Sequence, residues 1–166
     1  MNTIKSLGIL IAFLLTCGWP TVSLAQIPKQ GKFEVTAAVV VTVIETQKFG
    51  EHTMSYIKAD GVNLNKSGSG FMHNTSSTCM LIGIPGAFQG FCTTVDSDGD
   101  YIFQHNFIDK DFAVGTGGGG RRSVFLGGTG KYKGIQGGAP YEFTYAPKLE
   151  GKLLGQSSMS GEYKIP

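Results

Sequence analysis

The sequence predicts an all-β protein folded as a single closed antiparallel barrel of about eight strands. Three observations predict it. Apolar and polar residues alternate with a period of two through most of residues 33–165. Turn residues rich in Gly, Asp and Pro separate the short alternating runs, which is the spacing of a sandwich or barrel. Finally, residues 125–138 hold six glycines in fourteen positions, several of them inside strand-like patterns. Glycine within a strand marks a bulge or a sharp bend, and barrel corners need such bends. A helix there is disfavoured, because each interior Gly costs about 1 kcal/mol relative to Ala.

The elements follow in order. Phe33-Glu34-Val35-Thr36 leads into the β-branched run 37–44, which suits a long strand covered on both faces. Residues 51–58 alternate, with His52, Met54 and Tyr56 on one side. Residues 69–75 read as a further short strand, with Phe71 and His73 opposite Met72 and Asn74. Two runs, 78–84 and 87–94, flank Pro85-Gly86 as a hairpin. Asp96-Ser97-Asp98-Gly99-Asp100 is a turn, since Asp and Gly are favoured there. Next, residues 101–107 place Tyr101, Phe103, His105 and Phe107 on one face. A glycine-rich bend at 115–120 precedes a strand at 121–126, and strands at 141–145 and 156–165 complete the set. A closed barrel, small and calycin-like, is preferred to a sandwich because closure also removes exposed edges.

Residues 1–25 read as a secretory signal peptide. Lys5 is their only charge, Leu7 to Trp19 is an apolar run, and Ser23-Leu24-Ala25 offers small residues before the cleavage point. The run is shorter than the roughly 18–20 residues that span a bilayer, so no membrane span is expected after cleavage. The expected location is secreted or periplasmic. Residues 26–166 are then one domain, large enough for a real core. The formal charge of +2 is nearly neutral, and basic residues are scattered apart from Arg121-Arg122. Nucleic-acid binding, which needs a clustered basic face, is not expected.

Cys79 and Cys92 remain in the exported chain, and an even pair there reads as a disulfide. They are equidistant from Pro85-Gly86. A two-residue loop puts them opposite each other on a non-hydrogen-bonded pair, the closer type. Pro-Gly favours a type II turn rather than the primed hairpin turns, so a slipped register with two free buried thiols is the alternative. No His or further Cys stands at zinc spacing.

At Gly127-Gly128-Thr129-Gly130-Lys131-Tyr132, followed by Gly134, Ile135 and Gly137, the chain resembles the signature region of the allene oxide cyclase and dirigent-like β-barrels. Exported bacterial members of unassigned role also share a cysteine-bearing hairpin followed by an Asp-x-Asp-Gly-Asp turn, here Cys79, Cys92 and Asp96 to Asp100. The likeness spans roughly Gly70 to Tyr145, and residues 26–166 would form the family's domain. It implies an eight-stranded barrel whose lumen takes a small, largely apolar molecule. It carries no catalytic residue across. Gly127, Gly128, Thr129 and Gly130 are read as a structural turn.

Candidate chemistry is sparse. Asp96, Asp98 and Asp100 could offer hard oxygen ligands to a cation, but no glutamate closes an EF-hand loop, and a solvated turn is the preferred reading. The glycines before Arg121 lack the lysine of a phosphate loop. No cofactor is expected. His73 and His105 are the general-base candidates and Glu142 the acid, provided they point into the lumen. If Tyr141 and Phe143 face outward, Glu142 faces the lumen; if they face inward, it faces solvent. Tyr101, Phe103, His105 and Phe107 are the candidate ligand-lining residues, with plain core filling as the alternative. The expected partner is a small apolar or aromatic ligand, with self-association into a homo-oligomer. A lumen-based cyclase or isomerase and a protein–protein interaction module are the other functions considered.

Overall fold

In the computed structural model the described residues are 27–84, 87–108, 120–146 and 153–166. The signal segment, the Pro85-Gly86 turn and most of the 115–120 bend lie outside them. Eight strands close into one antiparallel barrel, each paired with its sequence neighbour and the last with the first. They are β1 (Gln30–Phe49), β2 (His52–Asn65), β3 (Thr75–Ile84), β4 (Ala87–Val95), β5 (Tyr101–Ile108), β6 (Arg121–Gly128), β7 (Gln136–Tyr145) and β8 (Leu153–Lys164). The only described helix is a 3-10 turn, Gly130–Tyr132, between β6 and β7.

The β3–β4 hairpin has the register the cysteine spacing predicts. Ile84 pairs with Ala87 and Cys79 with Cys92, and the disulfide joins them across Cα atoms 4.0 Å apart. Two features differ from the sequence expectations. Residues 69–75 form no separate strand. Residues 69–74 are a tight loop into β3, which begins at Thr75, with Met72 and Asn74 in the left-handed region at φ 56° and 53°. Such a loop lets Phe71 and Met72 both turn inward, which a strand's alternation forbids. Also, β1 is covered on its lumen face only. Val40 is exposed because nothing among the described residues packs over the outside of the sheet, and Val43 and Ile44 are exposed because they lie beyond Val41, the last β1 residue paired with β8.

One end of the barrel is filled. Phe33, Phe71, Met72, Ile102, Phe125, Tyr132, Ile135 and Tyr163 form its core. Phe71, delivered by the β2–β3 loop, stacks on Tyr163 at 4.0 Å between centroids and meets Phe33 and Phe125 at 5.1 and 5.7 Å. Burial of several rings at this one end supplies much of the apolar stabilisation, at about 25 cal/mol per Å² removed from water.

The glycine segment docks against the acidic turn at this filled end. Thr129 N donates to Tyr101 O, and Tyr101 N donates to Thr129 Oγ1, both at 2.8 Å. Lys131 N donates to Asp100 Oδ2 at 3.1 Å. Gly130 has φ +46°, and a Cβ there would collide with the Asp100 carboxylate. Glycine is therefore required twice over, by backbone conformation and by contact. Gly50, at φ +61°, faces open space.

Comparing the two positions separates these requirements. Gly50→Ala should cost about 1 kcal/mol, the left-handed penalty alone. Gly130→Ala should cost at least about 2 kcal/mol, because the carboxylate docking is lost as well. Urea unfolding of both variants checks this, and equal losses would mean that the Asp100 contact contributes nothing.

Candidate functional site

The disulfide fixes which face of each strand looks inward. Cys79 and Cys92 both line the lumen, and register carries that parity around the sheet. Cys92 pairs with Gln104, so Gln104, Asn106 and Ile108 face the lumen from β5. Cys79 pairs with Ala59 and Ala59 with Val41, which extends the same row through β2 into β1.

A cavity of about 350 Å³ lies above the filled end. That is within the usual size of small-molecule sites. Its walls are mostly apolar, with Val39, Val41, Ile57, Leu81, Phe88 and Phe143 among them. Below them runs a belt of buried polar side chains. Asn63 Nδ2 donates to Thr75 Oγ1 at 3.0 Å and to Ser77 Oγ at 2.5 Å. Ser77 Oγ meets Thr94 Oγ1 at 2.8 Å, Thr94 Oγ1 donates to Gln104 Oε1 at 2.8 Å, and Gln104 Nε2 donates to Ser123 Oγ at 3.2 Å. These six residues come from β2, β3, β4, β5 and β6. Together they satisfy one another in a place where an unpaired polar group would cost about 1–3 kcal/mol.

Among the described lining residues Arg121 carries the only full charge. Tyr141 faces the same lumen. Burial pushes its phenol well above the ordinary tyrosine range, while the Arg121 guanidinium pulls in the opposite direction. Tyr141 is therefore neutral at any physiological pH and can donate a hydrogen bond there.

The proposed ligand-lining face of β5 is corrected by this parity. Tyr101, Phe103, His105 and Phe107 stand on the outside of the barrel. Tyr101 and Phe103 are exposed, and His105 is stacked between Phe91 and Phe107 at 5.1 and 4.8 Å. The alternation of β5 is as expected, but its inward face is the other one, with Ile102 fully buried. Glu142 is also outside and exposed, since Tyr141 and Phe143 take the inward positions of β7. Thus His105 and Glu142 do not meet in the lumen. His73 sits in the loop beneath the barrel, its Nδ1 buried without a hydrogen-bond partner among the described residues. The three catalytic candidates therefore occupy separate places.

The polar belt was missed by sequence reading. Its signal was present as polar residues at one parity of otherwise apolar strands, namely Asn63, Ser77, Thr94 and Gln104. That signal needs the inward parity to be known first.

The acidic turn is an ion-pair and hydrogen-bond knot. Asp96 Oδ1 accepts from the backbone N–H of Asp98 and Asp100 at 2.9 and 3.1 Å. Lys131 Nζ lies between Asp96 and Asp98 at 2.6 and 2.5 Å, where a cation bound by these carboxylates would sit. Among the described residues no group of three His, Cys, Asp or Glu side chains is placed to hold a metal. Burial pushes the Asp96 carboxyl up, but hydrogen bonds from Lys131, the Asp100 and Asp98 amides and Tyr132 outweigh it, so its pKa is lowered. The Tyr132 phenol is pushed up, first by burial and then by the Asp96 carboxylate.

Comparison with protein-family models, with curated proteins and with solved structures returns no match. Among the described residues no helix is long and apolar enough to cross a membrane.

A lowered carboxylate pKa stabilises the folded state above the unfolded value of about 3.9, and the contribution disappears as pH falls through the folded pKa. The protein should therefore lose stability on acidification below about pH 4. Asp96→Asn should be less stable at pH 7 by about 2 kcal/mol and show a flatter acid limb. Thermal melts of both proteins from pH 7 down to pH 2 check the slope, and parallel acid limbs would remove Asp96 as its source.

Proposed function

We infer that this protein binds a small, largely apolar or aromatic molecule in its barrel lumen. The observation that carries the reading is the amphipathic cavity, apolar in its walls and hydrogen-bonding at its floor, with Arg121 and Tyr141 among its lining residues. Such a site takes a molecule with an apolar body and orients it by a few polar groups. The eight-stranded antiparallel barrel and its Gly-Thr-Gly turn also support kinship with the allene oxide cyclase and dirigent-like barrels. The Cys79–Cys92 disulfide and the apolar leader support export to an oxidising compartment.

A second reading, self-association through the outside of the barrel, is favoured by a specific surface. Met80 and Ile82 on β3, Phe91 on β4 and Phe103 on β5 are all exposed, and Phe91, His105 and Phe107 form a continuous ring stack beside them. Exposed apolar patches of this kind mark interaction sites. The two readings are compatible, since they use opposite faces of the same strands.

Filling the lumen tests the first reading. Ala59→Phe projects a ring into the cavity and should weaken binding of an apolar fluorescent dye at least about tenfold, while outward Phe103→Ser leaves it unchanged. Unaltered dye affinity in Ala59→Phe would sink the lumen reading, provided circular dichroism shows the barrel intact.

The second reading has its own measurement. Phe91→Asp should shift sedimentation velocity toward the monomer, since a buried unpaired carboxylate costs several kcal/mol. A wild-type protein already monomeric at high concentration would dispose of it.

A further inference from the structure

The disulfide is a lumen group as well as a hairpin staple. Both cysteines line the cavity, yet they differ in exposure. Cys92 is 3% exposed, whereas Cys79 is only half-buried. The neighbour of Cys79 on β2 is Ala59, which presents only a methyl group beside it. On the other side, Asn106 Nδ2 donates a hydrogen bond to Cys92 Sγ at 3.1 Å. The two sulfurs therefore have different chemical prospects. Cys79 is the more exposed residue on the cavity wall. Cys92 lines the same cavity but is almost fully buried, and it already holds the donor that a thiolate would need.

That asymmetry directs thiol–disulfide exchange. A thiolate attacks one sulfur, and the other leaves with the electron pair. Leaving is faster when the departing thiolate is stabilised, and a hydrogen bond to the charged form stabilises it. The cavity also selects the attacking thiol. Ile57, Leu81 and Phe143 offer an apolar wall, and Arg121 is the only full positive charge on the described lining. A compact apolar thiol can enter, whereas a bulky, highly charged thiol is excluded by size and desolvation.

We propose that the Cys79–Cys92 disulfide is a reversible capture site for small apolar thiols entering the lumen. The thiolate attacks Cys79 Sγ and forms a mixed disulfide there. The Cys79–Cys92 bond breaks, and Cys92 leaves as a thiolate held by Asn106 Nδ2. The entering thiol has lost its proton to water before attack, its sulfur rises to the disulfide level as Cys92 is reduced, and the negative charge passes to Cys92, so the step balances without another reactant. Return attack by Cys92 on Cys79 Sγ releases the thiol unchanged. The proposal goes beyond lumen binding and needs only that the lumen admit a small molecule.

Benzyl mercaptan and glutathione, compared at equal thiolate concentration, provide the test. The oxidised protein is treated with each, folded and in urea, and adducts are located by peptide mass mapping. Benzyl mercaptan should outpace glutathione by at least about tenfold more in the folded than in the unfolded protein, with the adduct on Cys79. Asn106→Leu should slow capture by about tenfold, and benzyl alcohol, which lacks the thiol, should compete. Adduct chiefly on Cys92, or the same thiol preference folded and unfolded, would overturn the proposal. If capture fails while benzyl alcohol still displaces an apolar dye, thiol capture is wrong and lumen binding stands. The adduct position in the wild-type protein decides the matter even if Asn106→Leu misfolds.

Discussion

Closing a sheet on itself forces every strand to commit one face to the lumen, and the rest of this structure depends on that commitment. In a period-2 element a one-residue slip would exchange the whole inner set for the outer one. The covalent pair Cys79–Cys92 holds the parity of two adjacent strands at once. Register then transmits it, placing Gln104 inward on β5 and Ala59 inward on β2. Every later property, whether cavity, polar belt or outer ring stack, is a consequence of which residues this parity sends where.

The barrel solves its two ends differently. The filled end is built by segments between strands: Phe71 from the β2–β3 loop and Tyr132 from the 3-10 turn both enter the core. The acidic turn holds that end from outside, through Asp100 to the Lys131 amide and through Asp96 and Asp98 to the Lys131 ammonium. The glycine segment is thus part of a closure, and its glycines are spent on close backbone approach rather than on ligand contact. A cavity remains above because the residues at the corresponding inward positions of β1 and β2 are small, Ala37, Ala59 and Gly61.

How much of this was legible follows from what a period-2 pattern contains. Alternation revealed the strands, their approximate number and the separation of Tyr101, Phe103, His105 and Phe107 from their neighbours. The hairpin register was legible as well, because equal distances from Pro85-Gly86 fix the Cys79 and Cys92 pairing whichever face they take. Absolute parity was not legible. An aromatic row looks like a core face in isolation, and on β5 it is the outer one, while the inward row is Ile102, Gln104 and Asn106. Aromaticity misled because this barrel satisfies polar side chains internally through neighbours on other strands, which no single strand's composition reveals. The loop at 69–74 looks like a strand in sequence for a related reason, since only the left-handed backbone of Met72 and Asn74 permits two adjacent apolar residues to point the same way.

The β3–β5 sector carries two unlike surfaces back to back. Its inner face presents the disulfide, Gln104 and Asn106; its outer face presents Met80, Phe91, His105 and Phe107. In a two-sheet sandwich such an outer face would be buried by a second layer, and the inner polar row would be excluded from the core. Barrel closure reverses both outcomes. It supplies cross-strand partners for the inner polar groups and leaves the outer rings without a covering layer among the described residues. The apolar surface outside and the hydrogen-bonded floor inside therefore have a single cause, and changing the parity of these strands would abolish both together.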